Sequence, residues 1–291
     1  MNSLPGKPFK PLDPSADQMD LSGIVTNLKR VRARSRMKLA NDSLTRAFLD
    51  AALGLTEDLF SAPSVAGDEE VRPTMSYLSK PKILNKTQQN HPNLVPTEAK
   101  FRDRWAAHQH FLADFISYAL TARHWSLQIA LARRSEELLT SGADFSKAVH
   151  EVAYEDLKLV LDLPAYRFQL LAVASSAADT VASDALSSMY ATLSDAWCKL
   201  YVRVFDHYGV RFRPGVSIEM FNIILQSTAE GLGMRLLAGV DEPILNHQEK
   251  SSLLGTAALA LMLAFLDAGD GMTLEDLAEG ALSRFQQTTS A

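Results

Sequence analysis

Residues 94–121 read LVPTEAKFRDRWAAHQHFLADFISYALT and predict two consecutive helices. Thr97 is a favourable N-cap for the first helix, because its side-chain oxygen can accept a hydrogen bond from the backbone N–H of Lys100. Phe101 and Trp105 would then lie one turn apart on the apolar face of this helix. The second helix is indicated by apolar residues at helical spacing: Phe111, Leu112, Phe115, Ile116, Tyr118, Ala119 and Leu120.

Three cations lie around the aromatic pair in the first of these helices. If Phe101 and Trp105 pack inward, we expect Lys100, Arg102 and Arg104 to point outward. A cationic helix of this kind suits contact with phosphates or guanine edges. An ordinary solvated surface would carry the same residues, so both interpretations stay open.

The passage resembles the end of the helix-turn-helix in bacterial TetR-type repressors, where a recognition helix leads through an aromatic-rich passage into the next helix. The residues that carry the resemblance are Phe101, Trp105, His108, Phe111 and Leu112. The family's usual glycine, tyrosine and lysine are replaced by Ala99, Arg102 and His108. Further along the chain, an Arg-Pro-Gly turn at 213–215 and Glu-Gly-Leu-x-x-Arg at 230–235 resemble the dimerisation side of actinobacterial members.

The resemblance implies an all-α protein with a small N-terminal helix-turn-helix domain and a larger helical domain for ligand binding and dimerisation. We expect a disordered Pro-rich tail and basic arm over 1–40. The helix-turn-helix domain would cover 41–122, and the ligand-binding and dimerisation domain would cover 123–291.

Charge is distributed unevenly along the 291 residues, although the net charge is only −5. Residues 1–124 hold 17 Lys and Arg against 13 Asp and Glu, which gives 17 − 13 = +4. Residues 125–291 hold the other 12 and 21, which gives 12 − 21 = −9. This asymmetry indicates a basic module joined to a larger acidic one.

The cysteine content and the lack of recognisable targeting segments predict a cytoplasmic protein. Cys198 is the single cysteine, which excludes an intrachain disulfide framework and fits a reducing compartment. The N-terminus has no apolar segment typical of a signal peptide. The most apolar stretch, 253–266, is short and flanked by charges, so we expect no membrane partner.

A basic arm is predicted before the first long helix. Six cations fall within ten residues: Lys29, Arg30, Arg32, Arg34, Arg36 and Lys38. Such an arm can track DNA phosphates or enter a minor groove. A solvated basic tail is an equally good interpretation.

Helical spacing from Leu44 to Leu59 predicts an amphipathic helix whose role is core packing. Candidate helices follow at 73–79 and 81–90, with 91–93 as the turn of the helix-turn-helix. The alternative for this region is a long irregular insertion.

Two helices near the end of the chain are expected to form the dimer. By analogy with the family, helices at about 217–238 and 250–267 would pair with their mates in a two-fold four-helix bundle. The second helix is apolar on almost every side, so other protein surface must bury it on almost every side. A helix buried at the centre of one subunit is the alternative.

The sequence therefore predicts a homodimeric, ligand-responsive transcriptional regulator, a repressor that binds a palindromic operator in double-stranded DNA. The predicted DNA contacts are Thr97, Lys100, Arg102, Arg104 and His108, with Arg30, Arg32 and Arg34 of the arm. An expectation from the family is a small, mostly apolar effector, and the candidate lining residues are Trp125, Tyr166, Tyr190, Trp197 and Tyr201.

Two other functions stay open. One is a TetR-like interaction or ligand-binding protein that has lost sequence-specific DNA binding. The other is an all-helical enzyme, which the sequence disfavours because it contains no phosphate-binding loop, dinucleotide fingerprint or nucleophile elbow. Since the histidines are scattered, we expect no metal, no other cofactor and no catalytic residue.

Overall fold

A computed structural model describes residues 19–29, 32–60, 78–142, 144–162, 164–176, 180–239 and 243–289. These residues are mostly helical, which confirms the prediction of an all-α fold. The helices are α1 (Ala33–Ala40), α2 (Ser43–Phe60), α3 (Lys80–Asn90), α4 (Glu98–Arg104), α5 (His108–Ser117), α6 (Ser126–Thr140), α7 (Phe145–Asp162), α8 (Pro164–Ser175), α9 (Thr180–Tyr208), α10 (Ile218–Leu237), α11 (Leu253–Phe265) and α12 (Leu274–Thr289). A π-helical segment, Tyr118–Trp125, connects α5 to α6, and β1 (Leu245–Asn246) pairs with β2 (Ser251–Ser252) in a short antiparallel hairpin.

The chain forms two compact units whose boundaries differ from the predicted domains. The N-terminal unit comprises Met1–Ala130 and Arg167–Met189, and the second unit comprises Leu131–Tyr166 and Tyr190–Ala291. The predicted boundary at 122/123 cuts the continuous helix that runs from α5 to α6. The chain also returns to the N-terminal unit after α7, which a division into consecutive segments cannot describe.

Residues 19–29 fold onto the N-terminal unit, so the prediction of a disordered arm as far as residue 40 is wrong for this segment. Leu21, Val25 and Leu28 are buried. The Asp114 carboxylate accepts hydrogen bonds from the backbone N–H groups of Thr26 and Asn27 at 2.9 and 3.0 Å. Residues 1–18 lie outside the described part of the chain.

Helix α2 has the predicted amphipathic pattern, and its apolar side forms the core of the N-terminal unit. The buried residues on this side are Leu44, Ala47, Phe48, Ala51, Ala52 and Leu55. Helix α3 matches the predicted helix at 81–90, packs against α2 and buries Ile83 and Thr87. The predicted helix at 73–79 falls almost wholly outside the described residues.

The core of the second unit is apolar and aromatic, and it draws on α6, α7, α9, α10 and α11. Close packing is visible where α7 meets α11. A Cβ added to Gly255 would lie 2.4 Å from His150 Nδ1, so only glycine fits this crossing. Helix α9 ends before Gly209, whose φ of +65° is the left-handed conformation that glycine commonly adopts at a helix C-terminus.

Helix α11 is covered on one side only. Leu254, Ala258 and Phe265 are buried in the second unit, whereas Leu263 is 81% exposed. The alternative of a helix fully buried within one subunit is therefore wrong. None of the helices in the described residues has both the length and the apolar character that a membrane crossing requires.

Candidate functional site

Helix α4 begins as the sequence predicts. The Thr97 side chain accepts a hydrogen bond from the backbone N–H of Lys100 at 3.2 Å, which satisfies one donor of the first helical turn. The connection from α3 covers residues 91–97 and is longer than the predicted turn at 91–93. Thr97 is itself exposed, beside the first turn of α4.

An aromatic cluster fixes the inner side of α4. Phe101 and Trp105 are almost fully buried, and their ring centroids are 5.1 Å apart. Phe48 of α2 lies 5.3 Å from Phe101, and Phe111 of α5 lies 4.9 Å from Trp105. Because aromatic residues of α2 and α5 pack against Phe101 and Trp105, α4 cannot rotate without disrupting this packing.

Two of the three predicted cations on α4 face solvent. The Arg102 side chain is 62% exposed, and its Nε lies 3.9 Å from the Glu98 carboxylate. Lys100 is also exposed, and its ammonium group donates to the backbone oxygen of Val95 at 2.8 Å. Both contacts lie at the surface, where they cost little to exchange for contact with another anion.

Arg104 does not point outward, so this part of the prediction is wrong. Its side chain is 7% exposed. The guanidinium donates to Thr45 Oγ1 at 2.9 Å and to the Lys100 backbone oxygen at 2.9 Å, and it forms an ion pair with Asp42. A guanidinium that is held in this way by the protein supports the fold and is not offered to a ligand.

The helical spacing explains the error. At about 100° per residue, Arg104 lies about 60° from Phe101 and therefore shares its buried side. Lys100 and Arg102 lie about 100° to either side of Phe101 and reach the surface. The sequence already contained this information. It becomes visible when the angular position of each cation around the helix is measured from the buried residue Phe101.

Arg104 also joins α4 to both ends of the basic helix α1. Its backbone oxygen accepts the N–H of Lys29 at 2.6 Å, three residues before Arg32. Its side chain pairs with Asp42, two residues after α1 ends. Three residues span at most about 10 Å, so α1 starts close to the end of α4.

Helix α1 carries an exposed group of cations. Arg32, Arg34, Arg36 and Lys38 are all exposed. Arg34 and Lys38 lie one turn apart on one side of α1. Arg30 of the predicted arm lies outside the described residues. The structure thus places the cations from Arg32 onward on a helix rather than on an extended arm.

His108 belongs to the aromatic cluster. Its ring stacks on Phe111 with centroids 5.8 Å apart and an angle of 17°. Burial lowers the pKa of the imidazole, and nearby Lys80 acts in the same direction, although a backbone hydrogen bond with Leu78 opposes them. A half-buried imidazole with a lowered pKa is poorly suited to the phosphate contact that the sequence predicts.

Most of the predicted ligand-lining aromatics are packed in the interior. Tyr166 is buried and donates to the Glu230 backbone oxygen at 2.8 Å, and burial raises the pKa of its phenol. Trp197 and Tyr201 are buried in the core of the second unit, and their ring centroids are 5.8 Å apart. The side chain of Trp125 lies outside the described part of the structure.

Among the residues predicted to line a ligand site, Tyr190 lines an open groove. This groove lies between α9 and α10 and has a volume of about 320 Å³. Its other main lining residues are Ser194, Ile223, Gln226, Ser227 and Glu230. The size falls at the low end of the range for small-molecule sites. The sequence missed the polar α10 residues because a glutamine, a serine and a glutamate on an apolar helix resemble surface positions.

No family model matches the chain, and neither the curated proteins nor the solved structures compared with it include a match. In the described residues, no group of three or more His, Cys, Asp and Glu side chains could hold a metal ion.

Proposed function

We propose that the chain is a TetR-like transcriptional repressor that binds DNA as a homodimer and responds to a small molecule. One observation carries the proposal. Helix α4 is short, capped by Thr97 and gripped by aromatic residues of α2 and α5, and it directs Lys100 and Arg102 to solvent. The helix order α2, α3, α4, α5 supports a helix-turn-helix with its neighbouring helices, in which the connection over residues 91–97 would be an extended form of the usual turn of three to four residues.

The contact surface combines two elements. Lys100 and Arg102 of α4 would contact bases or phosphates in a major groove. The cations of α1 would contact the neighbouring backbone, where charge adds affinity without reading sequence. Arg104 acts as a positioning residue, because it holds the ends of α1 next to α4.

A two-fold dimer is favoured by the outer side of α10 and α11. Large apolar side chains are exposed there: Met220, Ile223, Ile224, Met234, Leu253 and Leu263. Apolar patches of this kind mark protein interfaces. A symmetric dimer would present two copies of α4, and it would therefore select a palindromic site.

The small molecule would act by favouring one dimer geometry over another. It can shift this balance only by the difference between its affinities for the two geometries. We place this molecule in the groove between α9 and α10, because α10 belongs to both the groove and the exposed apolar side.

The test is fluorescence anisotropy of the purified protein on labelled DNA from its own upstream region, over a series of salt concentrations. Wild-type protein should bind selectively and lose affinity steeply as salt rises. Replacing both cations, Lys100→Ala with Arg102→Ala, should reduce the salt slope by about 2 and relax selectivity. Arg133→Ala, at an exposed arginine of the second unit, is the matched control and should bind as the wild type does.

Several outcomes would contradict the proposal. Unchanged binding by the double variant would move the contact away from α4, and α1 would become the main candidate. A monomeric mass by light scattering would contradict the dimer. No selective binding in a genome-wide selection would favour the second candidate, a TetR-like interaction protein. Its supporting observation is that Glu98 and Asp103 are exposed on α4 together with Lys100 and Arg102, which leaves that surface without net charge.

A further inference from the structure

Helix α1, together with its N-cap Arg32, is a cationic segment that the rest of the protein leaves exposed. Every residue from Arg32 to Lys38 is exposed, and burial begins only at Leu39 and Ala40, where the chain turns into α2. Met37, the large apolar residue before this corner, is 53% exposed. Packing within the protein therefore does not account for most of this helix.

The charges of α1 are also unpaired. In the described residues, no hydrogen bond or ion pair is formed by the side chains of Arg32, Arg34, Arg36 and Lys38. The sequence explains this, because residues 21–41 contain no aspartate or glutamate. The two flanking acids are engaged elsewhere. Asp20 accepts a hydrogen bond from Asn41 Nδ2 at 2.7 Å, and Asp42 forms its ion pair with Arg104.

The four cations form two stripes on opposite sides of α1. At about 100° per residue, Arg36 lies about 40° around the helix from Arg32, and these two residues form the first stripe. Lys38 lies about 40° from Arg34, and these two form the second stripe. The centres of the two stripes are about 200° apart, and the sides between them carry no charged residue.

The protein itself gains little stability from this arrangement. Like charges four residues apart in a helix repel each other, and each stripe is such a pair. The N-cap Arg32 makes no side-chain capping hydrogen bond, and the first turn has no acidic residue. A helix of eight residues is marginal in water even without these costs. A polyanion that neutralises both stripes would supply the missing stabilisation.

Stripes on opposite sides favour a partner that surrounds the helix. A flat anionic surface or a single phosphate strand would contact one stripe and leave the other in water. The major groove of B-DNA is about 12 Å wide, which matches the diameter of about 10–12 Å of a helix with its side chains. Phosphates line both edges of this groove, so a helix inside it meets phosphates on both sides. Duplex RNA offers no equivalent, because its major groove is deep and narrow.

We propose that α1 enters a major groove of duplex DNA, with its first stripe on the phosphates of one strand and its second stripe on those of the other. This inference rests on the proposed function for its partner, DNA. It goes beyond that function because it gives α1 a contact with both strands at once. It also replaces the sequence-based expectation of an arm that enters a minor groove.

The test is fluorescence anisotropy of the full-length protein on a labelled mixed-sequence DNA duplex, over a series of salt concentrations. Two double variants each remove one stripe: Arg32→Gln with Arg36→Gln, and Arg34→Gln with Lys38→Gln. Each should reduce the salt slope by about 2, and the variant with all four changes should reduce it by about 4. Lys147→Gln with Lys158→Gln, at two exposed lysines of α7, is the matched control and should leave the slope unchanged.

Both stripes must contribute for the inference to hold. A loss confined to one stripe would mean that α1 lies along a single phosphate strand. No loss from either stripe would mean that α1 does not contact DNA. Duplex RNA of the same sequence should bind more weakly than the DNA, and equal affinity would exclude entry into a groove that only B-DNA provides. Any of these three results would overturn the inference.

A proline variant distinguishes a helix from a flexible basic tail. Met37→Pro keeps all four cations and removes a backbone N–H that the helix needs, so it should bind the DNA duplex about tenfold more weakly than Met37→Ala, which keeps the helix. Because Met37 is exposed, the two variants should have similar melting temperatures. Equal affinities would overturn the inference, since a tail without helical structure would then bind as well.

These measurements separate failure of this inference from failure of the proposed function. If the wild-type protein shows no salt-dependent binding to duplex DNA, both fail. If replacing Lys100 and Arg102 weakens binding and removing the stripes does not, only the assignment of α1 fails. The reverse result would leave α1 as the DNA contact and would remove α4 from it.

Discussion

Two buried polar side chains, one in each unit, differ in how well their hydrogen-bonding groups are satisfied. In the N-terminal unit, Asp114 is 0% exposed and accepts hydrogen bonds from Thr26, Asn27 and the Trp105 indole, the last at 2.8 Å. In the second unit, Asn222 is 1% exposed and has no hydrogen-bond partner among the described residues. Burial alone therefore does not show whether a polar side chain is satisfied, whereas the count of its hydrogen bonds does.

The largest expected effect comes from removing the central acceptor of the N-terminal unit. Asp114→Ala leaves the Trp105 indole N–H and the Asn27 amide without their partner, so unfolding free energy should fall by about 3 kcal/mol. Urea denaturation followed by tryptophan fluorescence measures this change. Asp103→Ala, at an exposed acid in the same unit, should change stability by less than about 0.5 kcal/mol.

The comparison would fail if Asp114→Ala were as stable as Asp103→Ala. The hydrogen bonds to Asp114 would then add nothing to the docking of residues 19–29. In that case, unfolding free energies would not distinguish the hydrogen-bonded carboxylate of Asp114 from the unpaired amide of Asn222.

A smaller effect is expected from the packing of α10, which carries two glycines with opposite surroundings. A Cβ on Gly233 would lie 2.9 Å from Val160 Cγ1 and 3.1 Å from the Tyr166 hydroxyl, so Gly233→Ala should destabilise the protein by about 1–3 kcal/mol. A Cβ on Gly231 meets nothing within 4 Å, and Gly231→Ala should stabilise the helix by up to about 1 kcal/mol.

Thermal denaturation of the two variants side by side measures this difference. Equal effects of the same sign would mean that α10 is not packed against Val160 and Tyr166 as described. The result would sharpen the comparison, because it tests whether the second unit depends on apolar packing where the N-terminal unit depends on paired polar groups.

The smallest effects concern pH, and they should have opposite signs in the two units. Burial raises the pKa of Asp114, although its hydrogen bonds oppose this shift. A raised folded-state pKa makes the contribution of this carboxyl to stability fall as pH rises above its unfolded value of 3.8. The hydrogen bond from Arg213 lowers the pKa of Asp270, and that contribution is present at neutral pH and is lost as pH falls below about 4.

Melting temperatures of wild type, Asp114→Asn and Asp270→Asn between pH 7 and about pH 3 test both signs. The advantage of wild type over Asp270→Asn should shrink on acidification, whereas its advantage over Asp114→Asn should grow. Parallel curves for the two variants would show that neither carboxyl changes its pKa on folding.

The sequence predicted the elements around the proposed DNA contact well. The Thr97 cap, the buried pair Phe101 and Trp105, and the apolar side of α2 all follow from local rules of capping and periodicity. The inward direction of Arg104 was predictable in principle, because its spacing from Phe101 places it on the buried side. Its partners Asp42 and Thr45 were not, because they come from a different helix corner some sixty residues earlier.

The sequence by itself determined that the protein is helical, where α2, α3 and α4 lie, and which sides of α2 and α4 are apolar. These properties depend on residues within a few turns of one another. Tertiary structure decided which polar side chains are satisfied. Asp114 and Asn222 both interrupt an apolar helix side and look alike in sequence, but the first meets donors from residues 26, 27 and 105. Hydrogen-bond satisfaction depends on which distant segments meet, and helical periodicity carries no information about that.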